Sequence, residues 1–188
     1  FLASHDGIGL NPLRGLLPEE EILSLVRDLA AEGALVSWKN NPDGSTSPYE
    51  VNVTWMDALN QQADEDDRRL QRFMLSHALL LTFPGVPAIY IQSLLGSRND
   101  REGVTAAGYA RAINRQKYDL AEIEQALAGE GSLRHHTFHA LRALIQVRMR
   151  QPAFHPDNPL QVLAADERLL VLRRGATSTA DRLLCIFN

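Results

Sequence analysis

The stretch from Asp64 to Ile91 most constrains what this chain can become. Asp64 to Thr82 reads as one long helix, charged at first and apolar from Phe73 onward, as in a helix that drives into a barrel wall. Pro84-Gly85-Val86-Pro87 then predicts a sharp turn. Ala88-Ile89-Tyr90-Ile91 has the unbroken apolar character of a parallel strand covered on both faces. Helix, short turn and buried strand make one α/β unit of a barrel.

The first seven residues, Phe1-Leu2-Ala3-Ser4-His5-Asp6-Gly7, read the same way from the other side. An apolar start runs directly into a His-Asp pair and a glycine. That is how a barrel strand ends when its C-terminal tip carries polar chemistry at the open mouth of a (β/α)8 barrel. The bland alternative is a His-Asp pair that caps a loop.

Pro18-Glu19-Glu20-Glu21 opens a helix, with acids at the positive end of its dipole and Ile22, Leu25, Val26 and Leu29 at helical spacing. Residues 39–48 predict a polar loop, and Val51 and Val53 a short extended segment. Residues 93–118 read as a long polar loop, a length that usually marks function. Leu120 to Leu127 and a Ser132-capped helix to about Arg150 follow. Pro152 and Pro156 close the α/β part. Leu160 to Leu163, Leu169 to Leu172 and Leu183 to Phe187 then read as strands of a separate antiparallel β domain.

The 188 residues are 45% apolar and 22% charged, with a net charge of −4, which suits a globular protein with a real core. No basic stripe points to nucleic acid, and no apolar run approaches the roughly 18 residues of a membrane span. One cysteine, Cys185, cannot form an internal disulfide, which points to a reducing compartment, the cytoplasm. The chain starts with Phe and stops at Asn188, each inside an apolar strand-like run, so it reads as a segment of a larger chain.

FLASHDGIGL, GLLPEEE, YEVN, FPGVPAIYIQSLLGSRND and ARAINRQKY, in this order, resemble the sucrose phosphorylase subfamily of the α-amylase clan, glycoside hydrolase family 13. The resemblance covers roughly residues 1–150. It implies the end of strand 7 to helix 8 of a (β/α)8 barrel, at residues 1–151, with an inserted helical and loop subdomain over about 8–63. Residues 152–188 would begin the C-terminal β domain. It also implies retaining chemistry, in which one carboxylate attacks the anomeric carbon and another serves as acid and then base. Phosphate then resolves the glucosyl-enzyme. The family's nucleophile and acid/base lie at strands before this segment, and no carboxylate here matches them.

By the same resemblance, Asp6 is the third acid, a transition-state stabiliser that grips the sugar's 2- and 3-hydroxyls, with His5 donating to a hydroxyl beside it. Arg111 matches the arginine of the family's G-R-D-I-N-R segment, which reaches a far hydroxyl of the glucose. Ala110 and Ala112 stand where that pattern has Gly and Asp, and a surface salt bridge is the competing role. Tyr49 and Glu50 match the family's Tyr-Gln over the acceptor site. Thr46-Ser47-Pro48-Tyr49-Glu50 replaces the sucrose-specific L-D-L-Y-Q and resembles the glucosylglycerate phosphorylase branch, although Pro48-Tyr49 also suits a rigid loop anchor. Lys39 or Arg14 would then assist an anionic acceptor. After Gly85-Val86-Pro87-Ala88-Ile89-Tyr90, Gln92-Ser93-Leu94 stands where amylases have G-x-E, as expected for a phosphorylase.

His135 and His139 are one helical turn apart, which suits zinc, but no third ligand and no H-E-x-x-H glutamate accompany them. A solvated helix face is expected, and no metal. Trp38, Trp55 and Cys185 read as packing residues, with Trp55 near enough to the acceptor segment to stack on a ligand. The expected partners are a small sugar and phosphate, with no cofactor, no nucleic acid and no membrane. The rest of a barrel, or another copy, would cover the exposed faces. Sucrose or sucrose 6'-phosphate phosphorolysis, amylase-type hydrolysis and a non-catalytic fragment are the rival readings.

Overall fold

The computed structural model describes residues 1–175 and 182–188. Helix α1, Glu19–Ala31, begins after Pro18 with three glutamates in its first turn. Its Ile22, Val26 and Leu29 bury against Leu10, Ala34, Val51 and Val53. Those last two valines belong to a small antiparallel sheet and its exit. Strand β1, Ile8–Gly9, pairs with β3, Thr46–Asn52, which pairs on its other side with β2, Leu35–Asn40, giving the order β1-β3-β2. The polar stretch 39–48 is therefore the tip and flanks of a hairpin rather than a loop. Asn41 N–H donates to the Ser45 carbonyl at 2.8 Å, and Gly44 takes φ +83° between them. Proline is tolerated inside β3 because Pro48 sits at the register shift opposite Ser37 and Trp38.

A second core joins two long helices. The short helix α2, Trp55–Ala58, is capped by Thr54, whose hydroxyl accepts from Asp57 N–H. It leads to α3, Asp66–Thr82, which opens on two aspartates. Met56, Phe73 and Leu81 bury with Leu141 of α7, Leu133–Arg150. Ser132 caps α7 as its sequence suggests, accepting from His135 N–H at 3.1 Å.

Between α3 and α7 the chain departs from the sequence reading twice. Residues 88–90 join no ladder, and helix α4, Ile91–Leu94, begins where the strand was expected to end. Phe1 to Ala3 likewise join no ladder. A parallel strand needs neighbours on either side, and the two sheets among the described residues are small, antiparallel and elsewhere. Ile91 is accordingly 52% exposed. The second departure is the long stretch 93–118, which is folded. It holds α5, Arg101–Ala107, capped by Asp100 and closed by Gly108 at φ +72°, and a 3-10 turn, Ala110–Asn114. Asp100 N–H donates to the Ile113 carbonyl at 2.9 Å and ties the two together.

Helix α6, Leu120–Ala128, precedes α7. After a 3-10 turn at Pro152–Phe154, strands β4, Leu160–Leu163, β5, Leu170–Arg174, and β6, Leu183–Phe187, form an antiparallel sheet in the order β4-β5-β6. Arg174 of β5 is wholly buried and donates to the carbonyls of His155 and Asn158, which fastens the sheet to the segment before it.

Candidate functional site

Ser4 to Gly7 form a tight turn. Gly7 N–H donates to the Ser4 carbonyl at 3.0 Å, and Asp6 N–H to Ser4 Oγ at 3.2 Å. Gly7 has φ +86°, and a Cβ there would stand 2.3 Å from the Val51 carbonyl oxygen. Only glycine lets this turn lie directly against β3. Asp6 is thereby set beside Glu50, the β3 residue whose cross-strand partners are Gly9 and Ser37.

Arg111, from the 3-10 turn, meets Glu50. Its Nε and Nη2 donate to Glu50 Oε1 and Oε2, both at 2.9 Å, the parallel two-bond geometry that suits guanidinium to carboxylate. Its Nη1 lies 3.3 Å from Asp6 Oδ1. Arg115 approaches the same oxygen, with Nη2 at 3.0 Å, while its Nε donates to the His5 carbonyl at 2.9 Å. His5 Nε2 is 3.4 Å from Oδ1. Glu50 is 5% exposed, whereas His5 stands out in solvent. Burial of the carboxylate favours its pairing, and the hydrogen bond to Glu50 is the largest influence raising the Arg111 pKa above its ordinary value.

The same segment is bolted to the turn and to residue 90. Asn114 Nδ2 donates to the Ser4 carbonyl at 2.6 Å, and the Tyr90 hydroxyl donates to the Asn114 carbonyl at 2.9 Å. Burial holds the Tyr90 hydroxyl above the usual tyrosine pKa. Gln92 Nε2 donates to the Gln116 carbonyl at 2.8 Å, and the Tyr118 hydroxyl lies 2.7 Å from Ser97 Oγ.

Four of the five residues singled out from the sequence therefore meet: His5, Asp6, Glu50 and Arg111. Tyr49 is the fifth; it is half-buried next to Glu50 in β3. Two anionic and two cationic side chains make a charge-compensated cluster that presents donors and acceptors together. Sequence reasoning did not assign Arg115, Asn114 or Tyr90 to this cluster. The signal was present, since Asn114 and Arg115 end the same Ala110-Arg111-Ala112-Ile113-Asn114-Arg115 motif that holds Arg111.

Other readings change. Lys39 and Arg14, expected to assist an anionic acceptor, stand outside the cluster, and the cation beside Glu50 is Arg111. Arg14 instead donates to Glu19 at 2.6 Å and to the Pro48 carbonyl at 3.1 Å, and Lys39 is an exposed residue opposite Ser47. Trp38 is 55% exposed on the outer strand β2, so it is not a packing residue. Trp55 is one, its Nε1–H donating to Ser76 Oγ at 2.9 Å. Cys185 is half-buried rather than buried. His135 Nδ1 lies 2.5 Å from the Leu127 carbonyl, which commits that nitrogen to a hydrogen bond. Among the described residues no helix is long and apolar enough to cross a membrane.

No protein-family model matches the chain. The glucosylglycerate phosphorylase of Escherichia coli (strain K12) is 56% identical over 188 residues, which is all of this chain and 34% of that protein. The chain is homologous to part of the glucosylglycerate and sucrose phosphorylases. Glucosylglycerate phosphorylase of Spirochaeta thermophila is 38% identical over the same 188 residues, and sucrose phosphorylase of Streptococcus mutans 30% over 179. The chain spans about a third of the length of these relatives: 34%, 32% and 34%. A solved sucrose 6F-phosphate phosphorylase from Thermoanaerobacter thermosaccharolyticum matches the fold with a TM-score of 0.78 at 24% identity, covering 97% of this chain and 35% of that one. That likeness bears out the fold class expected from the sequence, the C-terminal part of a (β/α)8 barrel with antiparallel strands after it.

Proposed function

We propose that these residues are part of a retaining α-glucoside phosphorylase that cleaves a glucoside such as glucosylglycerate with inorganic phosphate, releasing α-glucose 1-phosphate. The observation that carries it is the 56% identity to a glucosylglycerate phosphorylase along all 188 residues, against 30% over 179 to a sucrose phosphorylase. In this reading residues 1–151 complete a catalytic barrel, with an insertion over about 8–63, and 152–188 begin a β domain. The protein is cytoplasmic, and phosphate is its co-substrate with no further cofactor.

The nucleophile and the acid/base, two carboxyls held about 5–5.5 Å apart in retaining enzymes, lie outside these residues. The residues here hold and discriminate the sugar. Asp6 grips the 2- and 3-hydroxyls most tightly as the oxocarbenium-like state forms, which lowers the barrier rather than merely the dissociation constant. His5 donates to a neighbouring hydroxyl. Arg111 supplies a far hydroxyl contact, and Tyr49 and Glu50 border the acceptor. A free carboxylate at Glu50 would repel an anionic acceptor such as glycerate. Its two bonds to Arg111 remove most of that objection.

The assay is phosphorolysis of glucosylglycerate and of sucrose by the full-length protein at equal concentrations, with and without phosphate. A higher kcat/KM for glucosylglycerate, dependent on phosphate, is expected. A clear preference for sucrose or sucrose 6'-phosphate would replace the acceptor assignment, and phosphate-independent release of glucose would make the protein an amylase-type hydrolase.

A further inference from the structure

We propose that Arg115 is a positioning residue that holds the His5-Asp6 turn in the geometry its chemistry needs. The proposal rests on the reading of Asp6 as the transition-state stabiliser.

Arg115 grips the backbone and the side chain of one dipeptide at once. Its Nε donates to the His5 carbonyl at 2.9 Å and its Nη2 to Asp6 Oδ1 at 3.0 Å. These two bonds fix both the peptide plane before Asp6 and the direction of its carboxylate. Asn114, one residue earlier, takes the Ser4 carbonyl at 2.6 Å. Successive acceptors on the turn, from Ser4, His5 and Asp6, are thus met by successive donors some 110 residues away. The donor segment is itself anchored. Arg115 N–H donates to the Ala112 carbonyl at 3.0 Å, and the Tyr90 hydroxyl holds the Asn114 carbonyl at 2.9 Å.

Arg111 cannot do this work. Two of its three nitrogens are committed to Glu50 at 2.9 Å, and its reach to Asp6 is longer, at 3.3 Å. It touches no backbone atom of the turn in the contacts that define the cluster. The turn needs such a hold because its His5 side chain is open to solvent and the glycine at position 7 adds freedom. A carboxylate that must strengthen its bonds in the transition state gains nothing if it is misplaced. An error of about 1 Å costs on the order of 10²-fold in rate.

The test is Arg115→Gln and Arg115→Lys in the full-length protein, with Asp6→Asn alongside. Lysine keeps the charge but cannot donate from two fixed nitrogens to the His5 carbonyl and Asp6 together. Both Arg115 variants are expected to lose on the order of 10- to 10²-fold in kcat, with the KM for phosphate unchanged and the thermal midpoint near that of the parent. Near-parental kcat in Arg115→Lys would show that charge alone matters and overturn the proposal. A raised KM for phosphate with kcat preserved would make Arg115 a phosphate contact and overturn it too. If Arg115→Gln does not fold, Arg115→Lys decides; if neither folds, the residue is structural and the proposal fails. Near-parental turnover by Asp6→Asn would instead sink the reading of Asp6 itself, whatever Arg115 does.

Discussion

Gly7→Ala and Gly44→Ala together separate backbone strain from collision, because the two glycines have almost the same conformation, φ +86° and +83°. At that φ an L side chain costs about 1–2 kcal/mol. The reduced freedom of the unfolded chain offsets part of this equally at both sites, so it cancels in the comparison. The surroundings differ. Nothing lies within 4 Å of a Cβ at Gly44, whereas at Gly7 the Val51 carbonyl oxygen is 2.3 Å away and Asn52 Cα 3.0 Å away. Both are backbone atoms of the central strand β3, and neither can swing aside as a side chain would. Forcing an extra carbon into such a contact costs about 1–3 kcal/mol more. Gly44→Ala should therefore cost about 1–2 kcal/mol and Gly7→Ala about 2–5 kcal/mol. The measurement is urea unfolding of the full-length protein, with the slope checked for constancy. Turnover should separate the pair further. Gly7→Ala pushes the Asp6 turn off β3 and should lower kcat on the order of 10²-fold, while Gly44→Ala leaves it unchanged. Equal losses of stability, within about 0.5 kcal/mol, or an unaltered kcat in Gly7→Ala, would refute this account of how the turn is seated.

Expressed alone, residues 1–188 should show no phosphorolysis and should self-associate. A cleft of about 730 Å³, lined by Leu81, Ile89, Ile145 and Phe154 together with Val86 and Met149, is open to solvent. Val86 and Met149 are 84% and 80% exposed there. Sedimentation that shows a stable monomer, or release of glucose 1-phosphate by the pure segment, would contradict this. His77 sets a pH dependence. Burial holds its pKa below the ordinary 6.5, against a smaller opposing effect of its bond to the Phe73 carbonyl. Below about pH 6.5 the unfolded chain takes up a proton that the folded ring resists, so stability is full above that pH and falls as pH drops toward the lowered value. Stability measured from pH 7 to pH 5 should therefore fall more steeply in the parent than in His77→Phe, and parallel profiles would refute the assignment.

The elements with strong local signals were legible in the sequence. Helix α1 follows its glutamates and the spacing of Ile22, Val26 and Leu29. Helix α3 begins two residues later than read, and α7 starts after the Ser132 that caps it. The β2–β3 hairpin was hidden because its tip, Asn41 to Ser45, has the composition of any loop, and Pro48 argues against a strand. What makes it a strand is the register shift opposite Pro48 and the pairing of β3 on both sides, neither of which is a property of neighbouring residues. The barrel strands show the converse. Ala88 to Tyr90 carry the composition of a buried strand and join no ladder, because the hydrogen bonds of a strand belong to its neighbours.

The cluster around Asp6 divides along the same line. Which residues gather there came from the family resemblance of FLASHD, YEVN and ARAINR rather than from local pattern, since a His-Asp pair alone reads equally as a loop cap. Who pairs with whom was not readable. Glu50 and Arg111 are 61 positions apart, and Asp6 and Arg115 are 109 apart. No spacing rule reaches that far. Their meeting depends on Gly7 allowing the turn onto β3, and on the 3-10 turn Ala110–Asn114 bringing Arg111 to Glu50. A single glycine therefore helps decide the partners of the large charged residues. Adding a side chain at Gly7 would push the Asp6 turn off β3 without touching a single charged group, which makes that position as much a part of the candidate site as the ions it brings together.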